Sequence, residues 1–415
     1  MKRDEERKTA LILSLIGILP VIWFALLLAP WMGGGLKEIY ENADSIFTEP
    51  FHIVICKDSL RTVLIFLLLY GLGIGIWMSS IRNYRRGEEH GSARWGKAEI
   101  LNKKYQQLPV SQNKVLTMHV MIGLDAHKHR RNLNILVIGG SGAGKTRFFC
   151  KPNIMQCNTS YIILDPKGEI LRDLGHLLEM QGYEIRVLDL INMDRSNCYN
   201  PFVYLETDND VQRLVTNLFK STTPKGAQSS DPFWDTAAQM LLLAIIFYLK
   251  YEAPEEEQNF SMVMEMLRAG DIEDEDDDSA ISPLDRLFNN LEKEKPGHIA
   301  LKYWHGYHSG AAKTLKSIQI TLAARLEKFN LESLEKLTMT DELDLKSIGE
   351  KKVALFALIP DNDTSFNFLV SILYTQLFQQ LFWCADHLHG GSLPVPVHFV
   401  MDEFAKETLL FRRQF

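Results

Sequence analysis

Two long uncharged runs open the chain, Thr9 to Leu36 and Thr62 to Ile81, and neither carries a polar stripe. Each reaches the roughly 20 apolar residues that an α-helix needs to cross a hydrocarbon core. A helix in a soluble core seldom runs so far without a polar face, so both read as membrane spans. The first is also too long for the apolar stretch of a cleaved signal peptide. Trp77 stands near one end of the second, where an interfacial anchor belongs.

Beyond residue 130 the rhythm shortens. The β-rich runs Asn134–Ile138, Tyr161–Asp165, Glu184–Leu190, Lys352–Ile359 and Val397–Met401 alternate with segments of helical period. That alternation predicts a mostly parallel α/β sheet. From Tyr204 to Ser347 the helical period takes over ("DTAAQMLLLAIIFYLKYE", "AAKTLKSIQITLAARLEKF"), broken by "PEEE" and "DIEDEDDD". It reads as an inserted all-α domain. The expected organisation is a membrane anchor at 1–86, an α/β domain at 87–204 and 347–415, and the helical domain at 205–346.

Charge orients the spans. Lys2, Arg3, Arg7 and Lys8 precede the first and Arg82, Arg85 and Arg86 follow the second, whereas the loop Lys37–Asp58 is mixed. Both termini are therefore expected on the cytoplasmic side. The net charge of -7 excludes a protein that coats nucleic acid through bulk positive charge. The five cysteines contain no C-x-x-C pair, which fits neither a disulfide framework nor a zinc site. The acidic run Asp271–Asp278 lacks the glycine and terminal glutamate of a calcium loop and reads as solvated. "HKHRR" (His127–Arg131) is the densest basic cluster past the membrane flank and reads as an exposed tip.

Chemistry enters at Gly139-Gly140-Ser141-Gly142-Ala143-Gly144-Lys145-Thr146, which satisfies G-x-x-x-x-G-K-[ST] behind a β-rich run. The glycines let backbone N–H groups wrap phosphate oxygens. Lys145 reaches the β and γ phosphates of ATP, and the Thr146 hydroxyl ligates Mg2+. Such a loop needs a second strand that ends in carboxylates, and Val397–Met401 delivers Asp402 and Glu403. Asp402 is expected in the magnesium shell and Glu403 as the general base on water. Asp165-Pro166-Lys167-Gly168-Glu169 also follows a strand and admits two readings, a charged loop near the nucleotide or a plain turn.

Taken together, "HGSARWG", "RNLNILVIGGSGAGKTR", "KPN", "LDPKGE", "YNPF", "DPFWDTAAQMLL" and "MDEFA" resemble, in this order, the type IV secretion coupling proteins, the TraG-like conjugal transfer ATPases. The resemblance implies a P-loop RecA-like fold behind two transmembrane helices. It also implies a homo-hexameric ring in the bacterial cytoplasmic membrane, and an ATPase that passes DNA with its bound relaxase to a type IV secretion channel. Ring ATPases often borrow an arginine from a neighbour, and Arg325 and Arg147 are the candidates. After "MDEFA" the stretch "KETLLFRRQF" departs from the family's pattern, so a C-terminally truncated chain is expected. Two alternatives stay open: a truncated, catalytically inert membrane-bound fragment, and a septal-type DNA translocase.

Overall fold

The computed structural model describes residues 12–48, 50–80, 95–223, 232–271 and 281–402. The chain divides into two units, Met1–Trp95 and Gly96–Phe415, and each is taken by itself. Several residues singled out above lie outside the described residues: the basic flanks of both spans, "HGSAR", most of the acidic run, and everything from Glu403 onward.

The first unit is built on α1 (Ile18–Leu28) and α2 (Ser59–Ser80). They lie within two segments, Ile12–Gly34 and Ser59–Ser80, that are long and apolar enough to cross a membrane, and only 22% and 6% of those windows is buried by protein. Where they touch, the contact is specific. The Tyr70 hydroxyl donates to the Ser14 carbonyl at 2.9 Å, and a Cβ added to Gly17 would stand 2.1 Å from that hydroxyl. Glycine is therefore the residue that lets the two helices close, as small residues do between membrane helices. Gly17→Leu is expected to cost about 1–3 kcal/mol through overpacking, and Tyr70→Phe only about 0.6 kcal/mol. Titrating the full chain in mixed micelles with dodecyl sulfate, and following helicity, ranks the two.

In the second unit β1 (Asn113–Thr117) and β2 (Val120–Gly123) form an antiparallel hairpin. The main sheet contains β3 (Ser160–Asp165), β4 (Glu184–Asp189), β5 (Val353–Leu358) and β6 (Val397–Met401). Their order is β4-β5-β3-β6, and every pairing is parallel. In register, Tyr161 faces Ala354 on one side and His398 on the other, so the carboxyl ends of the strands come out together. Such alignment creates the ligand side of a parallel sheet.

Side chains alternate across the sheet, as strand period demands. Tyr161, Ile163, Phe356 and Val400 join Ile154 of α3 (Lys151–Ile154) and Ile170, Leu174 and Leu178 of α4 (Glu169–Met180). On the opposite face Ile162, Leu164, Leu355 and Ala357 join a larger cluster that continues through the helices. Among the described residues seven α-helices lie between β4 and β5: α5 (Asp208–Thr222), α6 (Pro232–Glu252), α7 (Phe260–Arg268), α8 (Pro283–Glu294), α9 (Ile299–His308), α10 (Ala312–Leu326) and α11 (Glu332–Met339). Their starts are written locally: Ser282 and Asp285 form a capping box ahead of α8, with Pro283 in its first turn. Stacked rings fill the interior, Phe288 on Trp304 at 4.1 Å and Phe260 on Phe329 at 4.2 Å.

Helices α6 and α12 (Asn367–Leu388) also pass a test of length and apolarity for a span, yet more than half of each window is buried inside the protein. Their apolar girth is answered by packing.

One expected strand differs. Asn134–Ile138 joins no ladder, and Leu136 and Ile138 are largely exposed. Among the described residues β6 is an edge, and Val400 alone in it is fully buried. The reason is geometric, because β composition favours extension whereas a ladder also requires a neighbour's N–H and C=O groups. β6 spends one edge on β3, and no strand among the described residues lies against the run. Lys114 Nζ donates to the Leu133 carbonyl at 3.0 Å at the start of the run. There, burial and then the Lys114 charge hold His398 down to about 3.

Candidate nucleotide site

The run Asn134–Ile138 leads into a loop whose backbone bends where only glycine bends freely: Gly142 has φ +74° and Gly144 φ +79°. A Cβ on Gly144 would also meet the Phe148 ring at 2.4 Å, whereas Gly140 and Gly142 face empty space. The loop is thus tight at one end and leaves room along its rim. It passes into a helix that starts with a π turn, Thr146–Cys150, before α3. Such turns often mark functional positions.

Two contacts define the site. Lys145 Nζ donates to the Gly139 and Gly140 carbonyls, both at 3.0 Å, folding the ammonium back over its own loop. The Thr146 hydroxyl donates to Asp402 Oδ2 at 2.5 Å, joining residues 256 positions apart. Asp402 directly follows β6, so the sheet's carboxyl side brings it to the loop. One turn on, burial and then the Asp402 charge push the Cys150 thiol up to about 12, which keeps it neutral. Glu403 lies outside the described residues.

A hydroxyl and a carboxylate in contact offer the hard oxygen donors that Mg2+ accepts while keeping most of its waters. The empty rim at Gly140 and Gly142 provides space for phosphate along the loop backbone. The residues present fit both ATP and Mg2+. Among the described residues no cluster of three or more His, Cys, Asp or Glu side chains offers a rival metal site.

The surrounding motif residues are scaffold. The Asp165 carboxylate accepts from the N–H groups of Glu169, Ile170 and Leu171 at 2.8 to 3.1 Å and caps α4, which favours the turn reading for that residue. Burial raises its pKa, and the N–H groups of Leu171 and Ile170 act against that rise. Lys151 bridges Glu169 at 2.7 Å and Asp173 at 2.6 Å, tying α3 to α4. Asn153 exchanges hydrogen bonds with the Val115 backbone, at 2.9 Å in each direction, and binds the helix behind the loop to β1. Sequence reasoning assigned no job to Lys151 or Asn153, since the partner strand of Asn153 lies 38 residues away. Lys167 stays exposed and meets Asp361 at 3.4 Å on the ligand side of the sheet.

Of the two candidate arginines, Arg325 is spent inside the helical region. Its Nη2 donates to both carboxylate oxygens of Asp235 at 2.9 Å, and Nη1 donates to the Thr222 carbonyl. Arg147 remains exposed, its guanidinium 5.9 Å from the Phe148 ring centre. The basic cluster begins as a short helical turn, Ala126–His129, with Arg130 left-handed at φ 53° and Arg131 donating to the Tyr105 hydroxyl.

A family model described as "Type IV secretory system Conjugative DNA transfer" matches residues 95–407. Among solved structures the chain is similar to the plasmid coupling protein TrwB in complex with the non-hydrolysable ATP analogue ADPNP. That likeness has 19% identity and a TM-score of 0.48, over 76% of this chain and 65% of that one. It is similar also to TrwB in complex with ADP and Mg2+, at 16% identity and TM-score 0.44, over 74% of this chain and 72% of that one. The chain thus spans slightly under two thirds of the first of these structures. No curated protein matches it.

Proposed function

Because this chain belongs to the type IV secretory conjugative DNA-transfer family, we propose that it works as a membrane-anchored ATPase that couples nucleotide hydrolysis to DNA transfer. The observation that carries the reading is the Thr146–Asp402 contact, which joins the loop that would hold phosphate to the strand that would hold the metal.

ATP binds along Gly139–Thr146, with Gly140, Ser141, Gly142, Ala143 and Gly144 presenting backbone N–H groups to the phosphates. Lys145 leaves the two loop carbonyls that now hold it and pairs with phosphate oxygens. Thr146 and Asp402 hold Mg2+, which when bound neutralises charge on the phosphates. Glu403, next in sequence to Asp402, accepts the proton of the attacking water. Charge stabilisation from Lys145 and positioning of water by Glu403 together lower the barrier.

The helices Ile12–Gly34 and Ser59–Ser80 anchor the chain in the bacterial cytoplasmic membrane with both termini inside. The helical region between β4 and β5 meets the substrate, DNA with its bound relaxase, and the chain acts as a homo-hexamer at a type IV secretion channel.

Asp402→Asn removes the carboxylate charge while keeping the shape. Mg2+-dependent phosphate release by the full chain, with and without DNA, is expected to fall by about 100-fold. Release that is unchanged across a magnesium titration refutes the assignment.

A further inference from the structure

Along one face of α2 lies a shallow, open groove lined by Lys57, Leu60, Arg61, Leu64, Ile65, Leu68 and Leu69, with no second element walling it. The spacing is that of a single helix face. The leucines are open: Leu60, Leu64, Leu68 and Leu69 are 73%, 59%, 64% and 58% exposed. The face turned to α1 is a different one, where Phe66 meets Phe24 and Tyr70 reaches the Ser14 carbonyl. α1 leaves the groove uncovered.

The groove is polarised. Lys57 and Arg61 stand together at one end, and from there to Leu69 every lining residue is apolar. Among the described residues neither cation forms an ion pair, and Asp58 is the one acid between them in sequence. The 22 residues of α2 span about 33 Å, close to the roughly 30 Å thickness of a hydrocarbon core. Arg61, the third residue of the helix, therefore stands at the boundary between headgroups and acyl chains. Leu60 to Leu69 then runs about 14 Å into the apolar layer.

We propose that this groove binds one anionic phospholipid, its phosphate between Lys57 and Arg61 and an acyl chain along Leu60, Leu64 and Leu68. The inference rests on the membrane-anchored reading above. Charge complementarity selects the occupant. A bare apolar face would accept any acyl chain or another helix, whereas two cations at the headgroup level with leucines beneath them match an amphiphile whose charge is negative and terminal.

The test uses the full chain reconstituted in nanodiscs of phosphatidylcholine with phosphatidylglycerol, followed by native mass spectrometry of lipid retained after partial delipidation. Wild type is expected to retain phosphatidylglycerol about tenfold over its share of the bilayer. Lys57→Gln with Arg61→Gln is expected to bring retention to that share, and Leu64→Ser to lower it with both cations intact. Wild-type retention without preference for phosphatidylglycerol, or the same preference in the double variant, overturns the proposal. Efficient disulfide-linked dimers of Leu64→Cys chains place a second copy in the groove and overturn it as well. Alkaline extraction separates the two readings. A chain stripped from membranes by alkali fails the anchored reading itself, whereas one that resists alkali yet shows no lipid preference fails this proposal alone.

Discussion

Lys145→Ala is expected to lower ATP turnover by at least about 100-fold while leaving the unfolding midpoint unchanged. Both halves follow from what Lys145 touches. Among the described residues its ammonium bonds to two carbonyls of its own loop, Gly139 and Gly140, and to no other group. Those oxygens lie at an exposed turn where water replaces the lost donor, so little stability is at stake. Phosphate has no such substitute, because removing one charged donor from a developing anion costs about 2.7–4 kcal/mol in comparable sites. Lys145→Arg is expected to fail nearly as badly, since a planar fork cannot enter a loop sized for a compact ammonium. Phosphate release by the full chain in Mg2+ and ATP, with thermal unfolding of the same samples, checks both statements. Turnover equal to wild type would falsify the nucleotide assignment.

How much of this was legible in advance depends on whether the relevant partner was close in sequence. The two apolar spans, the helical stretch between β4 and β5, and the strands β3 to β5 declare themselves through local periodicity, which needs no partner. Thr146 and Asp402 were legible for another reason. Each belongs to a short pattern whose chemistry requires the other, and the fold does bring them together. Asn134–Ile138 was misread as a paired strand because pairing is a property of two segments, and composition speaks for one. Asp165 shows the same limit from the other side: a carboxylate at a strand end suits a ligand or a cap equally, and only the three N–H groups of α4 decide. Asn153 and Arg325 hold their positions through bonds to distant backbone and side chains, for which no periodic signal exists.

The second large effect lies far from the phosphate loop, at Arg186 on β4. Its side chain is 3% exposed. Nη1 donates to the Leu343 and Asp344 carbonyls at 2.6 and 2.7 Å, Nη2 to Ser347 Oγ at 2.8 Å, and Nε to Glu184 at 2.8 Å. All of these partners except Glu184, which stands on β4 itself, belong to the segment that returns the chain from α11 to β5, including Asp344 in a left-handed conformation at φ 38°. One buried fork thus fixes where the helical region rejoins the sheet. Lys351 first and Arg186 after it hold the Glu184 carboxyl below its ordinary range, so the network stays charged at neutral pH. Arg186→Ala removes the cation, leaves the buried Leu343 carbonyl without this donor and empties the volume the side chain fills, a loss of about 3–5 kcal/mol. At roughly 2–4 °C per kcal/mol for a unit of this size, the melting midpoint is expected to drop by about 10 °C. Arg186→Met tests the cause. Methionine restores apolar volume but no donor, so a network that matters through its hydrogen bonds leaves Met nearly as unstable as Ala. Recovery of most of the midpoint by Met assigns the effect to packing instead. Nucleotide binding measured below both midpoints is expected to match wild type, because Arg186 lies on the strand farthest from β6 and Asp402.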